Sequence, residues 1–182
     1  MTIRNAARVA ALSALALSMA APSFASPAGH GGATGTPGEA SAADRTVQVV
    51  MRDNYYEPET ISVSPGETVR FVVQNAGELV HEFNIGAPEK HVEHQREMLM
   101  MVEHGVLQAD RIDPEAAKAM QASMGHGGHD DPNSVLLEPG RSGEVVWTFP
   151  PGGEIEFACN VPGHYEAGMV GEFGIARGAG SS

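Results

Sequence analysis

The chain carries a single cysteine, and its neighbours make it chemically conspicuous. Cys159 opens the string Cys-Asn-Val-Pro-Gly-His-Tyr-Glu-Ala-Gly-Met, with His164 five residues on and Met169 five beyond that. A thiolate, an imidazole and a thioether delivered by one short loop form a soft ligand set suited to copper. His81, in Asn-Ala-Gly-Glu-Leu-Val-His-Glu-Phe, offers the second imidazole. Two imidazoles and a thiolate near one plane, with a weak axial thioether, suit Cu(I) and Cu(II) alike, provided that rigid elements impose the geometry.

Those elements read as short strands between turn signals. Segments 46–51, 59–63, 68–73, 81–85, 135–137, 143–149, 154–159 and 170–176 are apolar or alternating, and Ser-Pro-Gly, Asn-Ala-Gly and Glu-Pro-Gly turns separate several of them. About eight such strands indicate an all-β, antiparallel Greek-key sandwich. Cys159 then closes one strand and Met169 opens the next, while Pro162 and Gly163 stiffen the loop that carries His164. His81 is expected from the opposite side of the sandwich end, so that a bound ion staples the two sheets.

Residues 87–133 interrupt the strand pattern. Residues 89–104 read as a helix ending at Gly105, and a second helix starts with Asp113 as N-cap and Pro114 at its first position, stopping near Gly125. The insert is a long one for a small β domain, which marks it as functional. It holds His91, His94, His104, His126 and His129 out of 8 histidines, together with Met98, Met100, Met101, Met120 and Met124. His94, Met98 and Met101 share one helix face, with His91 a turn earlier. Two readings stay open. Either that face packs on the barrel, or His91, His94, Met98, Met101, His126 and His129 supply a secondary, weakly bound copper site.

The ends of the chain concern export. Arg4 and Arg8 precede an apolar run over 9–21, and Ser23-Phe24-Ala25 has small residues in its first and third positions, so residues 1–25 read as a secretory signal cleaved after Ala25. The run is too short for a stable membrane anchor. Residues 26–43 are a Gly/Ala/Ser/Pro leader expected to be flexible, 44–177 form the domain with its insert, and 178–182 are a short tail. Loss of both signal arginines takes the formal charge from −12 to −14, which disfavours nucleic acid and anionic lipid but permits a basic protein partner. An exported chain with one cysteine makes no internal disulfide, so an otherwise vulnerable thiol is best explained as a metal ligand.

With Cys-x4-His-x4-Met downstream and Asn-x-Gly-x-x-x-His-x-Phe upstream, residues 45–177 outside the insert resemble the cupredoxins, the type 1 copper family. The resemblance implies one copper per chain, with His81, Cys159 and His164 as strong ligands and Met169 as axial ligand. Many electron-carrying members have Asn or Ser directly after the first histidine, whereas this chain has Glu82. In its Cys159–Met169 loop and its His/Met-rich segments the chain is similar to the periplasmic copper-tolerance cupredoxins of the CopI kind. That implies a periplasmic protein that binds, or oxidises, excess copper rather than an enzyme in the usual sense. The alternative is a diffusible electron carrier that passes electrons to a redox partner through the edge of His164. A multicopper oxidase is disfavoured by the absence of paired His-x-His motifs.

Overall fold

The computed structural model describes residues 32–125, 129 and 131–175. The signal segment, the cleavage position after Ala25, the tail 178–182 and His126 lie outside the described residues.

Residues with branched or aromatic side chains alternate with polar ones along the strands, and one face of each sheet turns inward. The strands are β1 (Thr36–Pro37), β2 (Arg45–Arg52), β3 (Tyr55–Glu57), β4 (Thr60–Val63), β5 (Thr68–Asn75), β6 (His81–Gly86), β7 (Ser134–Leu137), β8 (Ser142–Thr148), β9 (Glu156–Ala158) and β10 (Val170–Ile175). They form two five-stranded sheets, ordered β1-β8-β5-β2-β3 and β4-β10-β9-β6-β7. Between the sheets lies a core that includes Tyr56, Phe71, Phe83, Phe149, Phe157 and Phe173. Phe71 and Phe83 meet across it with ring centroids 5.3 Å apart.

The β-sandwich with a helical insert is therefore as expected, with three differences. First, β1 and β3 add two short strands, and β2/β5 and β4/β10 pair in parallel rather than antiparallel. Second, the leader is docked from residue 32 onward. Thr36 and Pro37 pair with β8, and Trp147 Nε1 donates to the Thr34 carbonyl at 2.7 Å. A composition of small residues does not exclude order when an edge strand and an indole offer it partners. Third, β6 and β9 are neighbours in one sheet, with Asn84 opposite Ala158. His81 and Cys159 thus come from adjacent strands, and the site closes one sheet end instead of stapling two.

The insert folds as two helices, α1 (Pro88–Glu103) and α2 (Pro114–Met124). Asp113 caps α2 by accepting from the backbone N–H groups of Glu115 at 2.9 Å and Ala116 at 3.0 Å. Met98, Met101 and Met120 join Val80, Val106 and Leu107 in a second apolar cluster. The insert lies over β6, where all six residues are buried. Phe83 and Ile85 point into the main core, and the intervening Glu82 and Asn84, which an uncovered sheet would expose, are buried as well.

Candidate metal centre

The centre is assembled by a hairpin and a bracket. The hairpin is β9–β10, closed by the Cys159 N–H donating to the Met169 carbonyl at 3.1 Å. Inside it, the His164 N–H donates to the Val161 carbonyl at 2.9 Å, and Gly163 has φ +90°. Val161-Pro162-Gly163-His164 thus has the form of a turn with proline second and a left-handed glycine third. This turn fixes where His164 leaves the loop, and the Met169 N–H donates to its carbonyl at 3.0 Å.

The bracket is the segment from Asn75 to His81. Buried Asn75 donates from Nδ2 to the Leu79 and Leu137 carbonyls, both at 2.8 Å, and accepts from the Gly77 N–H at 3.0 Å. Gly77 has no room for a side chain, because a Cβ there would collide with Asp53 Oδ1 and lie 2.9 Å from His81 Nε2. The motif Asn-x-Gly-x-x-x-His-x-Phe therefore has a physical content: Asn75 holds the loop, Gly77 lets a carboxylate approach, His81 is presented and Phe83 anchors the strand.

Three ligand-type atoms converge between these parts. His81 Nδ1 and His164 Nδ1 are 3.2 Å apart, and Cys159 Sγ lies 3.3 Å from His164 Nδ1 and 3.9 Å from His81 Nδ1. Metal–ligand lengths of about 2.0–2.3 Å put three ligands around one ion about 3.5–4 Å apart, so the triangle fits a mononuclear site with little adjustment. Met169 is fully buried and belongs to the same core cluster as Cys159.

The protonation pattern suits the fit. His81 Nε2 stands 2.9 Å from Asp53 Oδ1, so Nε2 carries the hydrogen and donates it, leaving Nδ1 with a free lone pair facing Cys159. The His81 bond holds the Asp53 carboxyl below its ordinary range. Burial keeps both His81 and His164 below the usual histidine pKa, with Asp53 opposing at His81. Both imidazoles are neutral and ready to ligate near pH 7. Burial pushes the Cys159 thiol up, so metal binding must displace its proton. The sulfur also accepts from the Glu82 N–H at 3.3 Å.

Among the described residues, the predicted insert ligands do not form one site. His94 and His129 come together, with Nε2 atoms 3.0 Å apart. His91 is elsewhere, with Nδ1 3.2 Å from Asn160 Nδ2 and its ring 5.9 Å from that of Tyr165. Met98 and Met101 are buried in the second apolar cluster, where helix packing on β6 takes them. Sequence reasoning missed Asp53, which sits in the β2–β3 turn with no motif to mark it. It also left Glu82 as a mere departure, although this wholly buried carboxylate accepts from the Asn160 N–H at 3.1 Å and Nδ2 at 2.8 Å, bracing the residue next to Cys159.

Comparison with known proteins shows the family. The cupredoxin-like domain family matches residues 9–103. A copper-resistant cuproprotein CopI of Pseudomonas aeruginosa is 48% identical over 177 residues, covering 91% of this chain and 94% of that protein. One of the same name from Rubrivivax gelatinosus is 43% identical over 139 residues, covering 76% of this chain and 70% of the relative. Among solved structures, auracyanin from Roseiflexus castenholzii superposes with a TM-score of 0.52 at 20% identity, covering 74% of this chain and 98% of that one. Auracyanin B gives a TM-score of 0.51 at 20% identity, with 80% and 96% covered.

Proposed function

The chain belongs to the cupredoxin-like family of proteins, and from that premise we propose that it is a periplasmic copper-tolerance protein in which His81, Cys159 and His164, together with Met169, would hold one copper ion. The observation that carries this reading is the convergence of one sulfur and two imidazole nitrogens, with the His81 tautomer set by Asp53. Copper bound there supplies one-electron chemistry. The protein's part is to hold the ligands against relaxation: the Pro162-Gly163 turn aims His164, the Asn75 bracket aims His81, and the β9–β10 pairing ties Cys159 to Met169. Tolerance is supported by the names of the relatives, and a periplasmic location by the signal pattern at the N-terminus.

Deleting the gene should lower the copper concentration that arrests growth, and restoring it should reverse the effect. Unchanged growth under copper, with impaired respiration instead, transfers the assignment to electron carriage. One observation favours that second reading. His164 is partly exposed while His81 is buried, and exposed Val92, Leu99 and Val102 of α1 line shallow apolar depressions that reach Pro162 and His164. An apolar rim around an exposed ligand edge is a surface on which a redox partner could dock.

Asp53 gives a sharper check of the centre. Asp53→Ala frees the His81 tautomer and should lower copper affinity about 10–100-fold, measured by chelator competition. An unchanged affinity removes Asp53 from the centre.

A further inference from the structure

Outside the Cys159 centre, a second group of ligand atoms meets under the insert. Glu82 Oε1 lies 2.8 Å from His94 Nε2 and 2.5 Å from His129 Nε2, and the two nitrogens are 3.0 Å apart. Three potential ligand atoms thus crowd one point, from β6, from α1 and from the segment after α2. Glu82 is fully buried, and the two histidine side chains are 12% and 7% exposed, so this is an interior cluster and not a solvated surface grouping.

Two details point to a ligand. His94 Nδ1 lies 3.0 Å from Glu97 Oε2, so Nδ1 carries a hydrogen and donates it there, which leaves Nε2, beside Glu82 and His129, as the atom whose proton a metal would replace. That repeats on His94 the arrangement Asp53 makes on His81. In addition, His129 Nδ1 is buried with no hydrogen-bond partner among the described residues, so the polar contacts of this ring are those of the cluster. With no metal, the cluster is held by protons. Burial opposes charging His94 and His129, but the Glu82 carboxylate outweighs it and raises both, His94 to about 9. Divalent ions readily replace protons shared among imidazoles and a carboxylate.

We propose that Glu82, His94 and His129 form a second metal site, taking a divalent ion, Cu(II) foremost, with Glu97 orienting His94. The donor set is two nitrogens and one oxygen. With no thiolate or thioether it does not select Cu(I), and among divalent ions such sites bind Cu(II) most tightly. It thus differs in kind from the Cys159 centre and from the soft Met/His site that the insert's composition suggests. The two centres are joined through one residue: the Glu82 N–H donates to Cys159 Sγ while its carboxylate holds the histidines.

The site is independent of whether the protein serves tolerance or electron carriage, and its test can fail alone. Mature protein carrying one equivalent of copper at Cys159, seen as the thiolate-to-copper band, is titrated with further Cu(II) and followed by electron paramagnetic resonance and equilibrium dialysis. A second equivalent should bind with an axial, nitrogen-split signal and no strong visible absorption. His129→Ala should weaken it by at least about 100-fold, the upper end of what losing a supporting residue costs, and Glu97→Gln by about 10–100-fold, with the thiolate band retained in both. The retained band reports that each variant is folded, and Glu97 is exposed enough for its substitution to be tolerated (63% exposed). A wild-type stoichiometry of one, or a second equivalent that His129→Ala and Glu97→Gln leave unchanged, overturns the site.

Discussion

Replacing Cys159 by Ser should abolish the thiolate-to-copper absorption band and lower copper affinity by at least about 100-fold, since a neutral hydroxyl replaces a soft anionic ligand. Serine is smaller, keeps an acceptor for the Glu82 N–H, and leaves the backbone bond from residue 159 to the Met169 carbonyl intact. The metal-free variant should therefore fold, with thermal unfolding within a few degrees of wild type. That separation matters: a variant that folds but stays colourless with copper assigns the sulfur as ligand, whereas persistence of the band removes Cys159 from the site. Cys159→Ser should also leave the Glu82–His94–His129 cluster able to take Cu(II), because no atom of that cluster belongs to the cysteine side chain.

How far the centre was legible depends on the separation along the chain. Cys159, His164 and Met169 lie in one loop whose turn residues are local, so their convergence could be read from spacing. The strands announced themselves by alternation, and the caps of α2 by Asp113 and Gly125. Asp53 could not be read in this way. It reaches His81 only because β3 turns back on β2 and Gly77 leaves space, which is a tertiary fact. The same holds for β6 and β9: local pattern gives strands, but adjacency comes from the sheet order. The insert's composition pointed to metal ligands yet could not sort them. Helix periodicity grouped His94 with Met98 and Met101, whereas packing on β6 sent the methionines to an apolar cluster and brought His94 to Glu82. A glutamate amid an alternating strand looks solvent-facing until something covers that face, and here the cover is the insert itself.

Glu82→Gln should be the most destabilising single change near the centre, lowering the stability of the metal-free protein by about 3 kcal/mol. The carboxylate accepts on both oxygens. Oε1 takes bonds from Ser134 Oγ at 2.7 Å, His94 and His129, and Oε2 takes two from Asn160. An amide has one acceptor oxygen. Turned toward Asn160, it sets its NH2 against Ser134 and the histidines; turned toward the histidines, it sets its NH2 against both Asn160 donors. For a domain of this size the loss corresponds to roughly 6–12 °C in melting temperature, readable by circular dichroism. The same substitution should flatten a pH dependence. In the wild type the raised pKa of His94, about 9 against an ordinary 6.5, means that the folded state holds a proton which the unfolded chain gives up. That stabilisation is fully present below about pH 6.5 and is lost as pH rises through about 9, so the metal-free wild type should weaken across this window. Glu82→Gln removes the carboxylate that raises the pKa, and its stability should vary little there. A melting temperature within 2–3 °C of wild type, or an unchanged slope with pH, defeats the view that this buried carboxylate clamps the insert to the copper loop.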